Sequence, residues 1–310
     1  MLDFGHLPVG AQVSVFTGSG TTINANWRVW NKPRGMSHAY MLAIGAGGRG
    51  GDGFVGAVAA AGGGGGGSSG SQSTLWIPLH HLPDLLYISA TWLSGNSTSA
   101  RIATNPDGTA NNAVLVASTP ATSNSGTAGA GGTGAAGGAI ATIATCPIAG
   151  LGKYQFLVGQ VGGTGGFNGA ATALAFPTTG LICSGGGGGG GIQVATGSDG
   201  ADVTGVGNIP TTLRGLAGTS GVNGTNGSVG TTFMAQLPIF VGASGGGSGF
   251  PVAVISNGAN GGGASFGATI GRPGGVAYGC GGGGGGSAVT TAAAGIGGEG
   301  GPSLVIIICW

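Results

Sequence analysis

The amino-acid sequence predicts an all-β or irregular fold: short β-strands and small sheets, packed left-handed extended helices of the polyglycine II type, and almost no α-helix. Three observations predict it. Glycine accounts for 79 of the 310 residues, and it costs about 1 kcal/mol relative to alanine inside a helix. Short apolar stretches repeatedly lead into glycine clusters. No stretch has the sustained 3.6-residue apolar periodicity of an amphipathic helix.

Composition divides the chain into four segments. Residues 1–45 are predicted to be an N-terminal β segment, and residues 46–71 the first glycine-rich segment. Residues 72–122 contain few glycines and are predicted to be a small β region. Residues 123–310 are predicted to be a glycine-rich packed region that ends in a terminal apolar strand.

Alternating or continuous apolar side chains predict strands in the first and third segments. These strands cover residues 13–16, 27–30, 40–44, 75–77, 85–88 and 113–116. The sequence Lys32-Pro33-Arg34-Gly35 predicts a turn. In the fourth segment, apolar strands are predicted at residues 154–158, 181–184, 276–280 and 304–308. The strands at 181–184 and 276–280 each bring a cysteine to the start of a long glycine run.

The long glycine runs have two interpretations. They extend from Gly62 to Gly67, from Gly185 to Gly191 and from Gly281 to Gly286. Glycine-rich sequence is typical of flexible linkers, but these runs recur between apolar strands and are not flanked by charge. The favoured interpretation is ordered glycine. An extended threefold helix has no internal hydrogen bonds, so several such helices can bond to one another sideways.

The charge content excludes several classes of protein. Only 5% of residues are charged and 41% are hydrophobic, with a net charge of +1, which is unlike a disordered solvating chain. Scattered basic residues do not predict nucleic-acid binding through phosphates. No apolar run approaches the roughly 20 residues of a membrane-spanning helix, so we expect no membrane insertion. The first residues do not resemble a secretory signal.

The glycine-rich proteins of tailed-bacteriophage virions resemble this chain in two places. One is the β segment that leads into the glycine cluster at residues 44–51. The other is the ending, in which a polyglycine run and a variable loop precede Gly-Gly-Glu-Gly-Gly-Pro at 297–302 and an apolar strand. The resemblance covers residues 30–70 and 275–310 best. It implies a tail-fibre adhesin, a minor tail protein or a surface spike located in the virion.

No catalytic residue, metal site or cofactor is predicted. His80 and His81 are adjacent, and adjacent strand residues face opposite sides, so one metal ion is not expected to bind both. Asp199 and Asp202 could approach a loop cation, but calcium needs six or more oxygen ligands. The few acidic residues provide no pair for hydrolysis. An enzyme is therefore the least favoured class.

Cysteine and tryptophan are expected mainly in the interior. The cysteines are Cys146, Cys183, Cys280 and Cys309, which form no CxxC motif and are expected to be buried small hydrophobes. Trp27, Trp30, Trp76 and Trp92 lie in strand-like contexts and are predicted to be core residues. Stacking of a sugar on one of them is the alternative.

Two functions remain open: a self-associating structural protein of the virion, and an adhesin that contacts the host. The adhesin hypothesis rests on two loops rich in Asn, Ser, Thr and Gly, at residues 94–106 and 213–230, because recognition loops often have this composition. The candidate contact residues are Ser94, Asn96, Asn105, Asn223 and Asn226. Expected partners are other virion proteins, further copies of the chain in a homo-oligomer such as a trimer, and a host surface glycan or outer-membrane protein.

Overall fold

The described part of the chain is built from β-strands. The computed structural model describes residues 10–20, 26–56, 63–67, 70–92, 97–107, 112–122, 124–125, 127, 157–160, 278–279, 282, 284, 288–289 and 295–310. These residues form eleven strands and one short 3-10 helix, with no α-helix among them. For the described residues, the prediction of an all-β architecture with almost no helix is confirmed.

The strands and the 3-10 helix have the following bounds. The first six strands are β1 (Gln12–Thr17), β2 (Arg28–Asn31), β3 (His38–Ile44), β4 (Val55–Gly56), β5 (Gln72–Pro78) and β6 (Leu85–Ala90). The last five are β7 (Ser97–Ala103), β8 (Ala113–Thr119), β9 (Leu157–Gln160), β10 (Ala288–Val289) and β11 (Leu304–Cys309). The 3-10 helix covers Leu79–His81, directly after β5.

Two antiparallel sheets carry most of these strands. The larger sheet has the order β1-β11-β3-β5-β9, and the smaller one has the order β2-β6-β7-β8. In addition, β4 and β10 form a short parallel pair. The strand nearest the C-terminus therefore lies inside the larger sheet, between β1 and β3. This order brings the two ends of the described chain together.

Period-two alternation explains how β3 and β11 bury both of their faces. Met41 and Ile307 belong to the core between the two sheets, together with Leu86 and Ile102 from the smaller sheet. Leu42 and Ile306 point to the opposite face of the larger sheet, where they join a second apolar cluster. Each of these side chains is fully buried. Strands buried on both faces are typically continuous apolar runs, and the sequence of β11 has this character.

Most predicted strands are present, in some cases with extended bounds. The predicted strands at 13–16, 27–30, 40–44, 75–77, 85–88, 113–116 and 304–308 correspond to β1, β2, β3, β5, β6, β8 and β11. The predicted turn is present, with Gly35 at a φ of 79°. Of the strand predicted at 154–158, the described part begins at Leu157 and continues to Gln160.

Three local predictions are wrong. Residues 97–103 belong to strand β7 and not to a loop, because Ala100 and Ile102 occupy alternate positions and pack into the core. Tyr278 and Gly279 lie in a turn and not in a strand, and Gly279 has a φ of 74°, which favours glycine. His80 and His81 lie in the 3-10 helix. The expectation that their side chains face opposite sides, which holds for adjacent residues of a strand, does not apply to them.

Candidate functional site

The glycine-rich residues that the structure describes pack together in four segments. Segment 1 comprises residues 45–53, segment 2 residues 63–67 and 70, segment 3 residues 279, 282 and 284, and segment 4 residues 295–302. None of these residues belongs to a helix or a strand. Strand β4 begins at Val55, two residues after the end of segment 1. Together they are called the glycine bundle below.

The glycine bundle continues the larger sheet without a change of register. Segment 1 follows β3, segment 2 precedes β5 and segment 4 precedes β11. In the sheet, Ile44 pairs with Leu304, and three residues further on Gly47 donates to the carbonyl of Gly301. The neighbour order of the three strands is thus kept by the three segments. The register of the sheet therefore determines which glycines of neighbouring segments bond to each other.

The hydrogen bonds between segments 1 and 4 recur at every third residue. The donor–acceptor pairs are Gly47 to Gly301, Gly50 to Gly298 and Gly53 to Gly295, with N···O distances of 2.9, 2.9 and 2.8 Å. In an antiparallel β-ladder, hydrogen-bonded pairs recur at every second residue. A three-residue spacing means that every third peptide unit of segment 1 faces segment 4.

Segments 2 and 3 are bonded into the same assembly. Gly67 donates to the carbonyl of Gly282 at 2.6 Å, and Gly282 donates to the carbonyl of Gly48 at 2.9 Å. Gly51 donates to the carbonyl of Gly65 at 2.8 Å. Segment 3 therefore bonds to both segment 1 and segment 2. A buried peptide group needs such a partner, and here neighbouring segments supply it.

The segments approach so closely that a side chain cannot fit between them. A Cβ atom built on Gly64, Gly67 or Gly70 would overlap a backbone carbonyl of segment 1. The carbonyls that it would meet belong to Gly51, Gly48 and Gly45, again at three-residue intervals. A Cβ atom on Gly282 would overlap the carbonyl of Gly298. Glycine is required at these positions by the distance between backbones.

The same three-residue spacing is visible in the sequence of segments 1 and 4. In segment 1 the non-glycine residues are Ala46, Arg49 and Asp52, and in segment 4 they are Ile296, Glu299 and Pro302. In both segments they are three residues apart, with two glycines between neighbouring side chains. Counting the positions of the non-glycine residues would have identified this pattern.

The structure describes few of the residues that bound the predicted glycine runs and few of the candidate contact residues in the predicted loops. Gly67 lies in segment 2 and is buried. Gly62, Gly185, Gly191, Gly281 and Gly286 lie outside the described residues. Ser94, Asn96, Asn223 and Asn226 also lie outside them, as do Asp199 and Asp202. Of the candidate contact residues, only Asn105 is described, and it is exposed.

Asn105 lies in a polar turn between β7 and β8. Asp107 accepts hydrogen bonds from the side-chain amides of Asn105 at 3.3 Å and Asn112 at 2.6 Å. The N–H of Thr104 donates to the carbonyl of Asn112 at 2.9 Å, which closes the base of the turn. Burial lowers the pKa of the nearby Arg101 guanidinium, while the charge of Asp107 acts in the opposite direction. The turn therefore presents polar groups on an ordered base.

The tryptophans divide between core and surface. Trp30 is buried in the core as predicted, whereas Trp27 is half-buried and the side chain of Trp76 is outside the described set. The prediction for Trp92 is wrong, because this side chain is 46% exposed. Trp92 follows the end of β6, and its Nε1 donates to the carbonyl of Gly300 at 2.6 Å. The indole thus ties the smaller sheet to segment 4.

One cysteine and three histidines are described. Cys309 is buried and free, as predicted, and burial raises its pKa to about 11. Cys146, Cys183 and Cys280 lie outside the described residues, as does His6. His80 and His81 have ring centroids 4.0 Å apart. Among the described residues no three His, Cys, Asp or Glu side chains are grouped closely enough to hold a metal ion.

No protein-family model matches this chain, and no curated protein is significantly similar to it. In the part of the chain that the structure describes, no helix is long and apolar enough to cross a membrane. The functional argument therefore rests on the glycine bundle and on the polar turn.

Proposed function

We propose that the chain is a structural component of a bacteriophage virion, exposed on the tail or capsid and self-associating through glycine-rich packing. The observation that carries this proposal is the backbone ladder between segments 1 and 4. These segments contain the two motifs that resemble phage glycine-rich proteins, at 44–51 and 297–302, and they are bonded to each other directly. A glycine scaffold of this kind is suited to a structural role.

The proposal includes a conformation for the glycine bundle: left-handed extended helices of the polyglycine II type. A helix with three residues per turn and no internal hydrogen bonds presents every third peptide group to the same neighbour. The spacing of the donors Gly47, Gly50 and Gly53 supports this conformation. The three-residue spacing of Arg49 and Asp52 supports it as well. Fibre-like order of this type needs little apolar core.

Self-association is the second part of the proposal. Several large apolar side chains remain exposed on the described surface, and two of them lie on the paired strands β2 and β6. The exposed side chains include Val15, Val29, Leu85 and Trp92. We infer a homo-oligomer, with three-fold symmetry implied by the resemblance to phage fibres and spikes. Light scattering on the purified chain tests this part, and a monodisperse monomer would contradict it.

The test of the virion role is to locate the chain in purified particles of the virus that encodes it. Antibodies against the chain should label intact particles in electron micrographs, and a density map should show the larger sheet at the labelled position. Absence of the chain from purified, infectious particles would overturn the proposal. The proposed role requires no catalytic residue, cofactor or nucleic acid.

The alternative function is a receptor-binding adhesin that contacts a host glycan or outer-membrane protein. The polar turn at residues 104–107 favours it, because Asn105 and Asp107 are exposed on an ordered base. The decisive variant substitutes Asn105 and Asp107 with alanine and leaves β7 intact, since removing residues 97–103 would destroy the smaller sheet. Lost adsorption of intact particles would favour the adhesin, and unchanged adsorption would count against this turn as the contact.

A further inference from the structure

Three charged side chains meet along the ladder between segments 1 and 4, on the side of the Gly47–Gly301 pair that lies away from the larger sheet. The guanidinium of Arg49 is 2.7 Å from Oδ1 of Asp52 and 3.2 Å from Oε1 of Glu299. Arg49 and Asp52 belong to segment 1, and Glu299 belongs to segment 4. Only 5% of all residues are charged, so an ionic contact between two glycine segments is a distinct feature of this chain.

Asp52 adds two hydrogen bonds to this cluster. The N–H of Gly297, in segment 4, donates to Oδ1 of Asp52 at 2.8 Å. The N–H of Asp52 itself donates to Oγ of Ser125 at 3.3 Å. One carboxylate thus accepts from the guanidinium of its own segment and from the backbone of the neighbouring segment. The cluster joins segments 1 and 4 through side chains as well as through backbone.

The position of the cluster matters because the two ends of the ladder are held differently. At the near end, Gly47 and Gly301 lie three residues from the paired strands β3 and β11. At the far end, β4 continues segment 1 but pairs with β10 and not with segment 4. Ordering glycine costs more backbone entropy than ordering any other residue. Backbone bonds alone would leave the far end of this pair of segments prone to local opening.

We propose that Arg49, Asp52 and Glu299 form an ionic clasp that closes the far half of the ladder between segments 1 and 4. The clasp holds together the segments at the pairs Gly50–Gly298 and Gly53–Gly295, whereas the sheet holds Gly47–Gly301. This inference uses the described contacts alone and does not depend on the virion role.

Residue-resolved hydrogen exchange on the full chain tests the clasp. In Arg49→Gln, the amides of Gly50 and Gly53 should exchange about three- to tenfold faster than in the wild type, as expected when two partly exposed ion pairs are lost. The amide of Gly47 and those of β3 should be unchanged. The matched control is Asp84→Asn, which removes the 2.9 Å ion pair with Lys32 on the smaller sheet and should leave all glycine amides unchanged.

A second variant and salt distinguish the clasp from general destabilisation. Glu299→Gln should reproduce the effect in part, and about 1 M salt should accelerate exchange of Gly50 in the wild type but not in Arg49→Gln, because salt screens exposed ion pairs. Uniformly faster exchange across the larger sheet would overturn the clasp. If the glycine amides are protected in the wild type and neither the substitutions nor salt changes their exchange rates, the clasp alone is wrong. If they exchange at the rate of a free peptide in the wild type, the proposed packing of the glycine segments is wrong as well.

Discussion

Replacing Gly297 by alanine places a methyl group where the backbone of segment 1 already lies. A Cβ atom at this position would overlap the carbonyl of Gly50 and would lie 2.8 Å from the carbonyl oxygen of Gly51. Gly297 is not among the described glycines with a positive φ, so alanine can adopt its backbone conformation. Gly297→Ala is therefore expected to lower the free energy of unfolding through steric overlap and not through backbone strain.

The magnitude follows from the contacts that must be given up. To make room for the methyl group, segments 1 and 4 must separate by enough to break the hydrogen bonds from Gly50 and Gly53, and each contributes about 1 kcal/mol net. Alanine regains about 0.4–1 kcal/mol by restricting the unfolded chain. The net loss is about 1–2 kcal/mol of the free energy of unfolding, or roughly 2–8 °C in Tm for a chain of this size.

The adjacent residue provides a matched control. Ile296 is 53% exposed, so Ile296→Ala removes a larger group from the same segment without touching segment 1. We expect its effect to stay within about 0.5 kcal/mol, as for most surface substitutions. Thermal unfolding followed by circular dichroism compares both variants with the wild type. If Gly297→Ala unfolds like the wild type, or if both variants lose equal stability, the close-packing argument is wrong.

Three further predictions concern Ile306 and Cys309, which are buried in β11, and Trp92, which follows the end of β6. Ile306→Ala should lower the free energy of unfolding by about 2–5 kcal/mol, because this residue is fully buried in a central strand and leaves a cavity; a loss below 1 kcal/mol in denaturant unfolding would argue against that burial. Trp92→Phe should cost about 0.5–1.5 kcal/mol by removing the bond to Gly300, with no cost expected if the indole N–H is bound to water instead. Since burial raises the pKa of Cys309 from 9.0 to about 11, its neutral thiol contributes stability that is present below pH 9 and lost as the pH rises from 9 to 11. Cys309→Ala should flatten the pH dependence in that interval, and an unchanged slope would refute the assignment.

The sequence was sufficient for most of the described strands but not for their arrangement. The apolar residues 304–308 predict a strand by composition alone. Nothing local in that stretch indicates that it lies between β1 and β3, because pairing partners distant in sequence are chosen by the fit of whole sheets. The stretch at 97–103 lies within residues 94–106, for which a content rich in Asn, Ser, Thr and Gly predicts a loop. Core packing against β6 and β8 overrides that composition.

The glycine bundle was predicted in kind but not in detail. Composition and the apolar flanks indicate ordered, laterally bonded glycine, and Gly67 lies in a packed segment. The signal that could have identified the detail is the three-residue spacing of the side chains within each segment, such as Arg49 in segment 1 and Glu299 in segment 4. The positions between the side chains of each segment are all glycine and can approach a neighbouring segment. Trp92 was predicted to be buried from its strand-like context. The side chain is 46% exposed, and its Nε1 donates to the carbonyl of Gly300, a partner that no local pattern identifies.

Hydrogen exchange at Gly50, Gly67 and Gly282 in the native chain tests the central claim, that peptide groups of neighbouring glycine segments bond to one another sideways. The account predicts exchange at least about a hundredfold slower than in the unfolded chain, since each of these amides donates to a neighbouring segment. Exchange of all three at the rate of an unstructured peptide would contradict it.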